Sequence, residues 1–138
     1  MIFILYKQLK IQKMAKQNVL IEQHPIHKDY YGTSEGHIIS FKNKLPKFIK
    51  QCNHQRGYTQ FRASNGRTKS SMYLTHRFIY ECFFGEIEEG MCVHHINHIK
   101  TDNSIDNLML VTDAENKAYA KEFGVKVGAA SPKYKNNK

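Results

Sequence analysis

From His24 to Leu74 the chain is built of short apolar runs broken by Gly, Asn and Pro, a pattern that predicts strands rather than helices. Tyr30-Tyr31-Gly32-Thr33 and His37-Ile38-Ile39-Ser40-Phe41 flank Ser34-Glu35-Gly36, as two short strands around a turn. Lys47–Cys52 is a third strand candidate. Tyr58-Thr59-Gln60-Phe61-Arg62 alternates apolar and polar residues, which suits a half-buried strand. Asn65-Gly66 is a turn signal, because both residue types tolerate positive φ, and Ser71–Leu74 is the return strand. The period changes at His76. Phe78, Ile79, Cys82 and Phe83 fall at helical spacing, with Thr75 as N-cap and Gly85 as the stop. Met91–Val93 reads as a strand, His94–Ile105 as a polar loop and Leu108–Val111 as the returning strand. A last helix, capped by Thr112 or Asp113, runs to Phe123, with Gly124 past its end. The expected class is α+β: a small antiparallel N-terminal sheet, then a strand–loop–strand–helix unit.

A chain of 138 residues has room for one compact domain, or two small ones sharing a modest core. The net charge of +9 is unevenly placed. Residues 1–72 hold thirteen Lys/Arg against three Asp/Glu, whereas residues 73–138 hold eight against nine. The first half therefore suits a polyanion, with nucleic acid foremost, since Lys and Arg displace counterions from phosphates. A solvated basic surface without a specific partner is the plainer alternative. Four segments are expected: a basic extension at 1–23, an antiparallel DNA-binding region at 24–72, the strand–loop–strand–helix unit at 73–124 and a basic flexible tail at 125–138. Lys7, Lys10, Lys13 and Lys16 make the extension a short basic helix or a frayed arm.

Lys42, Lys44, Lys47, Lys50, Arg56, Arg62, Arg67 and Lys69 interleave with Phe41, Phe48, Tyr58 and Phe61. On a sheet, one face can bury the rings while the other offers charge to DNA. Cys52, Cys82 and Cys92 form no C-x-x-C pair, which argues against a disulfide framework and fits a reducing cytoplasm. Met1–Tyr6 is too short to span a bilayer and lacks the features of a signal peptide, so no membrane partner is expected.

The chemistry concentrates in residues 93–117. His94 and His95 are adjacent; Asn107 follows His95 by twelve residues, and Asn116 follows Asn107 by nine. Phosphodiester hydrolysis needs an activated water, an electrophile for the phosphate and help for the leaving oxygen. A histidine can take the water's proton near neutral pH, and one divalent metal can supply the rest. Consecutive strand residues point to opposite faces, so His94 and His95 share a site only if the strand ends or bends there. Cys92, His94, His95 and His98 offer an alternative, a structural zinc site.

Leu74–Phe84, followed by Val93-His94-His95-Ile96-Asn97, then Asn107–Thr112 and Asn116, resembles the HNH (ββα-metal, His-Me finger) nucleases, in particular phage- and intron-borne homing endonucleases. Tyr30–Lys42 is similar to a short module that often precedes HNH units in such proteins. The resemblance implies that His95 is the general base, that His94 and Asn116 bind one Mg²⁺ or Mn²⁺ (Zn²⁺ being the lesser candidate), and that Asn107 braces the His95 backbone. Arg77 would clamp the phosphate beside the scissile bond, or pair with Glu81 one turn on. The implied partner is double-stranded DNA, cut by a monomer, with a dimer as alternative. The implied setting is the cytoplasm of a bacterial host, with the gene carried by a phage or mobile element. Two positions depart from the pattern: Asn97 and His98 stand where an acidic residue and a glycine are usual. They leave open a weakly specific DNase, or a DNA-binding module that keeps the fold without catalysis.

Overall fold

The structure, a computed structural model, describes residues 18–43, 45–64 and 69–122. Strands β1 (Ile21–Gln23), β2 (Tyr30–Thr33), β3 (Ile38–Ser40) and β4 (Lys47–Phe48) form a four-stranded antiparallel sheet in chain order. Strands β5 (Cys52–Asn53), β6 (Thr59–Ser64) and β7 (Ser70–Leu74) form a second antiparallel sheet. Helix α1 (Thr75–Phe84) leads to β8 (Met91–His95), a 3₁₀ turn at Ile105–Asn107, β9 (Leu108–Thr112) and helix α2 (Asp113–Glu122). β8 and β9 pair as an antiparallel ribbon. The class is α+β.

Several elements differ from the sequence expectation. The N-terminal sheet is two sheets, because Lys47–Cys52 splits. Ile49 still donates to the Ile38 carbonyl at 2.9 Å, whereas Cys52 pairs with Gln60 on the second sheet. Residues 21–23 leave the expected extension to become β1, with Ile21 opposite Thr33. Thr75 is the first helical residue of α1, not its cap. Leu74 holds the cap position without a side-chain bond, and the Thr75 hydroxyl is buried without a hydrogen bond. Gly85 does stop the helix, at φ 89°, donating to the Glu81 carbonyl at 3.0 Å. β8 runs through both histidines, because His94 pairs with Met109 and His95 with Leu108. Of the two candidate caps for α2, Thr112 makes a capping box. Its Oγ1 accepts from the Glu115 amide at 3.2 Å, while its own amide donates to Glu115 Oε2 at 2.9 Å. The expected basic arm over residues 1–17, the Asn65-Gly66 turn, Gly124 and the tail lie outside the described residues.

The core forms around α1. Phe78 and Ile79 are fully buried against Tyr30 and Ile38 of the first sheet, Phe61 and Ala63 of the second, and Val93 and Leu108 of the ribbon. Phe78 meets Phe61 edge-on at 4.8 Å and stacks on His24 at 4.0 Å. His24 accepts at Nδ1 from the amides of Ile26 and His27, and sets its Nε2 3.5 Å from Glu81 of α1. A Cβ on Gly32 would lie 2.9 Å from Ile79 Cδ1, so β2 carries glycine where the helix presses on the sheet. Residues on both sides of position 72 share this core. None of the three cysteines is in a disulfide, and no helix among the described residues is long and apolar enough to cross a membrane.

Because the Phe78 ring meets both N-terminal sheets at the centre of the shared core, Phe78→Ala is expected to lower unfolding free energy by about 3–5 kcal/mol. Urea unfolding reads this directly: the midpoint should fall sharply while the transition stays single. A midpoint close to wild type would mean that α1 is not the common core.

Candidate active site

The site forms where β8 ends. Alternation along the strand directs His94 toward α2 and His95 toward the N-terminal sheets, and their partners do not overlap. His94 is buried, with Nδ1 2.9 Å from Asn116 Oδ1. An amide oxygen only accepts, so His94 Nδ1 carries the proton of this bond. Tyr119, also on α2, stacks on the His94 ring at 5.1 Å, and His98 meets that ring edge-on at 4.9 Å. Burial lowers the proton affinity of His94; the Asn116 bond partly restores it, and the nearby His98 lowers it further.

His95 is equally buried and is held on its other edge. Its Nε2–H donates to Asn103 Oδ1 at 2.9 Å, which fixes the Nε2–H tautomer and leaves the lone pair on Nδ1. That nitrogen makes no hydrogen bond among the described residues, and it is not among the sealed polar atoms. Tyr58 and His76 pack on the ring at 5.9 and 4.9 Å. Burial again lowers the proton affinity, opposed by the bond to Asn103 and helped by the charge of His94. Burial thus favours the neutral form of both rings, the form that a metal ligand or a general base needs.

The loop between the strands is held by Asn107. Its Oδ1 accepts from the Asn97 amide at 2.9 Å, and its Nδ2 donates to Asn97 Oδ1 at 2.8 Å and to the Asp102 carbonyl at 2.9 Å. The brace falls on Asn97 and Asp102 rather than on the His95 backbone itself, which is already fixed by pairing with Leu108. Asn97 also donates to Asp102 Oδ2 at 2.9 Å. The residue standing where glycine is usual, His98, has φ 62°, in the left-handed region that favours glycine. The unusual residue therefore occupies the unusual conformation, and its ring becomes a neighbour of His94.

The zinc alternative does not assemble. Among the described residues no three His, Cys, Asp or Glu side chains converge to hold a metal, so Cys92, His94, His95 and His98 are not a closed tetrahedral set. The pair that does meet, His94 Nδ1 and Asn116 Oδ1, would suit a different ion once that ion displaces the Nδ1 proton, which the ring can carry on Nε2 instead. Two ligands at about 2.1 Å from an octahedral cation are about 3.0 Å apart, close to the 2.9 Å observed. Asn116 Nδ2 is buried with no hydrogen-bond partner among the described residues.

Arg77 on α1 is half-buried, and its Nη1 has no hydrogen-bond partner. Burial lowers its pKa and Glu81 opposes this, without a direct ion pair to Glu81 among the described residues. Among the other basic positions, Lys47, Lys50, Arg62 and Lys69 are exposed and Arg56 is half-buried. Arg62 is bonded across the second sheet to Ser70 at 2.9 Å. The Lys42 ammonium is engaged by Ser64, bonding both its carbonyl and its hydroxyl, and lies 5.4 Å over the Tyr30 ring. Lys44 and Arg67 lie outside the described residues. Asn103, Thr59, Tyr58, His76 and Tyr119 were not singled out for the site by the sequence. Each sits in a stretch whose local pattern has another explanation: strand alternation, helix start or polar loop.

A family model described as HNH endonuclease matches residues 73–118. YosQ of Bacillus subtilis (strain 168), named as an SPbeta prophage-derived HNH homing endonuclease, is 34% identical over 99 residues, covering 72% of this chain and 56% of that protein. A solved structure describing DNA binding and cleavage by the HNH homing endonuclease I-HmuI has the same fold, with TM-score 0.69 and 24% identity over 84% of this chain and 66% of that one. The chain spans about half the length of the curated relative it matches.

The lowered proton affinity of His95 has a consequence for stability. Its folded pKa lies below the ordinary 6.5, so the unfolded chain binds the proton more readily. The contribution is complete above pH 6.5 and is lost as pH falls through the folded value. Melting temperatures of metal-free wild type and His95→Gln, compared at pH 7.5 and 5, should show the larger acid loss in wild type. Equal losses would contradict the burial argument.

Proposed function

Residues 73–118 belong to the HNH endonuclease family, and on that premise we propose that the chain is a metal-dependent DNA endonuclease that nicks one strand of a duplex. The observation that carries the reading is the 2.9 Å pair of His94 Nδ1 and Asn116 Oδ1, one residue from a histidine whose Nδ1 is the free base. His94 and Asn116 would hold one Mg²⁺ or Mn²⁺, with His94 Nδ1 giving up its proton on binding. When bound there, the cation would polarise the phosphate and stabilise the leaving 3′-oxygen.

His95 Nδ1 takes a proton from the attacking water. The water oxygen bonds to phosphorus, the P–O3′ bond breaks, and the departing 3′-oxygen is protonated from solvent. The ends are a 5′-phosphate and a 3′-hydroxyl. Asn107, bonded to Asn97 and to the Asp102 carbonyl, braces the loop that follows the base. Arg77 clamps the phosphate beside the scissile bond, a role supported by its Nη1 having no hydrogen-bond partner among the described residues.

DNA lies against the two N-terminal sheets, with Lys47, Lys50, Arg56, Arg62 and Lys69 among its phosphate contacts, joined by Lys42, Lys44 and Arg67. One such unit has one base and one metal site, so a monomer nicks and double-strand cutting takes two copies or two visits. The setting is the cytoplasm of a bacterial host, in keeping with the prophage origin of the relative.

Conversion of supercoiled plasmid, with Mg²⁺, Mn²⁺ or EDTA, tests the reading. Metal-dependent open circles should form with wild type, and His95→Ala should slow them by about 10²–10⁴-fold. Because the His95 proton affinity is lowered, the acid limb of the rate should fall below pH 6.5. Plasmid that is bound but never cut would replace this reading with a DNA-binding module. Binding should also weaken steeply with salt, log K falling by about 0.9 per phosphate contacted for each unit of log salt. A flat salt dependence would remove the basic sheets from the DNA interface.

A further inference from the structure

The base is not held by the nuclease unit alone. Asn103, 4% exposed, lies between the loop and the N-terminal sheets and touches both. Its Oδ1 accepts from His95 Nε2 at 2.9 Å, and its Nδ2 donates to Thr59 Oγ1 on β6 at 2.6 Å. The turn between β2 and β3 closes on its backbone. A Cβ on Gly36, at φ 90°, would lie 2.7 Å from the Asn103 carbonyl carbon and 2.9 Å from its Cβ. Two residues on, the Ile105 amide donates to the Ser34 carbonyl of that turn at 2.9 Å. The next residue of the turn's reach, Gln51, donates to the Gly36 carbonyl at 3.1 Å and ties the turn to the crossing between sheets.

We propose that Asn103 is a positioning residue for the base, and that the β2–β3 turn and Thr59 exist to seat it. With Thr59 accepting from Nδ2, the amide oxygen is turned toward His95, and an oxygen there admits only the Nε2–H tautomer. The reactive lone pair is then always on Nδ1. Turning the amide over would put an NH₂ donor against Nε2, move the ring proton to Nδ1 and remove the base. Glycine at position 36 allows the turn to reach the Asn103 backbone, since any Cβ there meets backbone atoms that cannot give way. The module that precedes the nuclease unit is therefore part of the catalytic apparatus as well as a DNA-binding surface. This inference rests on His95 being the base, but its first test does not require cleavage.

The test is the imidazole ¹⁵N spectrum of metal-free, full-length protein at pH 8, with His95 assigned by comparison with His95→Gln. Wild type should give a single Nε2–H pattern for His95. Thr59→Val, which keeps the shape and removes the acceptor, should give averaged tautomers, as should Asn103→Ala. Asn103→Asp, which keeps an acceptor oxygen, should restore the Nε2–H pattern. Gly36→Ala should resemble Asn103→Ala, and unchanged signals from the other histidines show that the variants fold. Mixed tautomers in wild type, or no change in Thr59→Val and Asn103→Ala, would overturn the proposal. In plasmid nicking, Thr59→Val, Asn103→Ala and Gly36→Ala should lose about 10- to 100-fold in kcat with little change in KM. Lost DNA affinity at full kcat would instead make Thr59 and Asn103 binding residues. A wild type that does not cut would fail the nuclease reading while leaving the tautomer result to judge the positioning of His95.

Discussion

Consecutive residues of a strand face opposite ways, and that constraint organises this molecule. β8 ends on His94 and His95, and pairing with Met109 and Leu108 keeps both in the strand. Each ring therefore needs its own wall and its own hydrogen-bond partner. Helix α2 supplies Asn116 and Tyr119 to one face. The other face cannot be served by the ribbon, so the N-terminal sheets supply Tyr58, and Thr59 through Asn103. A substrate phosphate that engages both histidines has to sit at the strand end, where the faces meet.

The packing follows from the same demand. α1 must hold two sheets and a ribbon in fixed relation, and it does so with Phe78 and Ile79, which share one buried cluster with residues of all three. His76 sits one helical turn ahead of Ile79, buried between Tyr58 and His95 at 4.9 Å from each ring. The helix that centres the core thus also lines the site. Stability and positioning are coupled here: loosening α1 would loosen the packing of His76 on the His95 ring.

Much of this was legible in the sequence because it is local. The spacing of His95, Asn107 and Asn116 lies within one strand–loop–strand–helix unit, and periodicity alone located α1 and the buried positions Phe78, Ile79 and Cys82. The capping box at Thr112 and Glu115 was signalled by a candidate cap before the helix. What escaped was non-local. Asn103 sits in a polar run with no period, and its partner Thr59 is 44 residues away. The splitting of Lys47–Cys52 between two sheets depends on which neighbours the backbone meets, not on side-chain pattern. His98 was visible only as a departure from glycine; its left-handed backbone gives that departure a physical meaning.

A structure of the full chain with a DNA duplex and Ca²⁺, an ion that binds oxygen ligands, tests most directly whether one phosphate joins the two faces of β8. The account predicts a cation on His94 and Asn116 sharing an oxygen of the phosphate, with a water within about 3.2 Å of His95 Nδ1 and in line with the P–O3′ bond. A phosphate held at His94 and Asn116 while His95 Nδ1 faces no water would contradict it, and so would a cation ligated elsewhere.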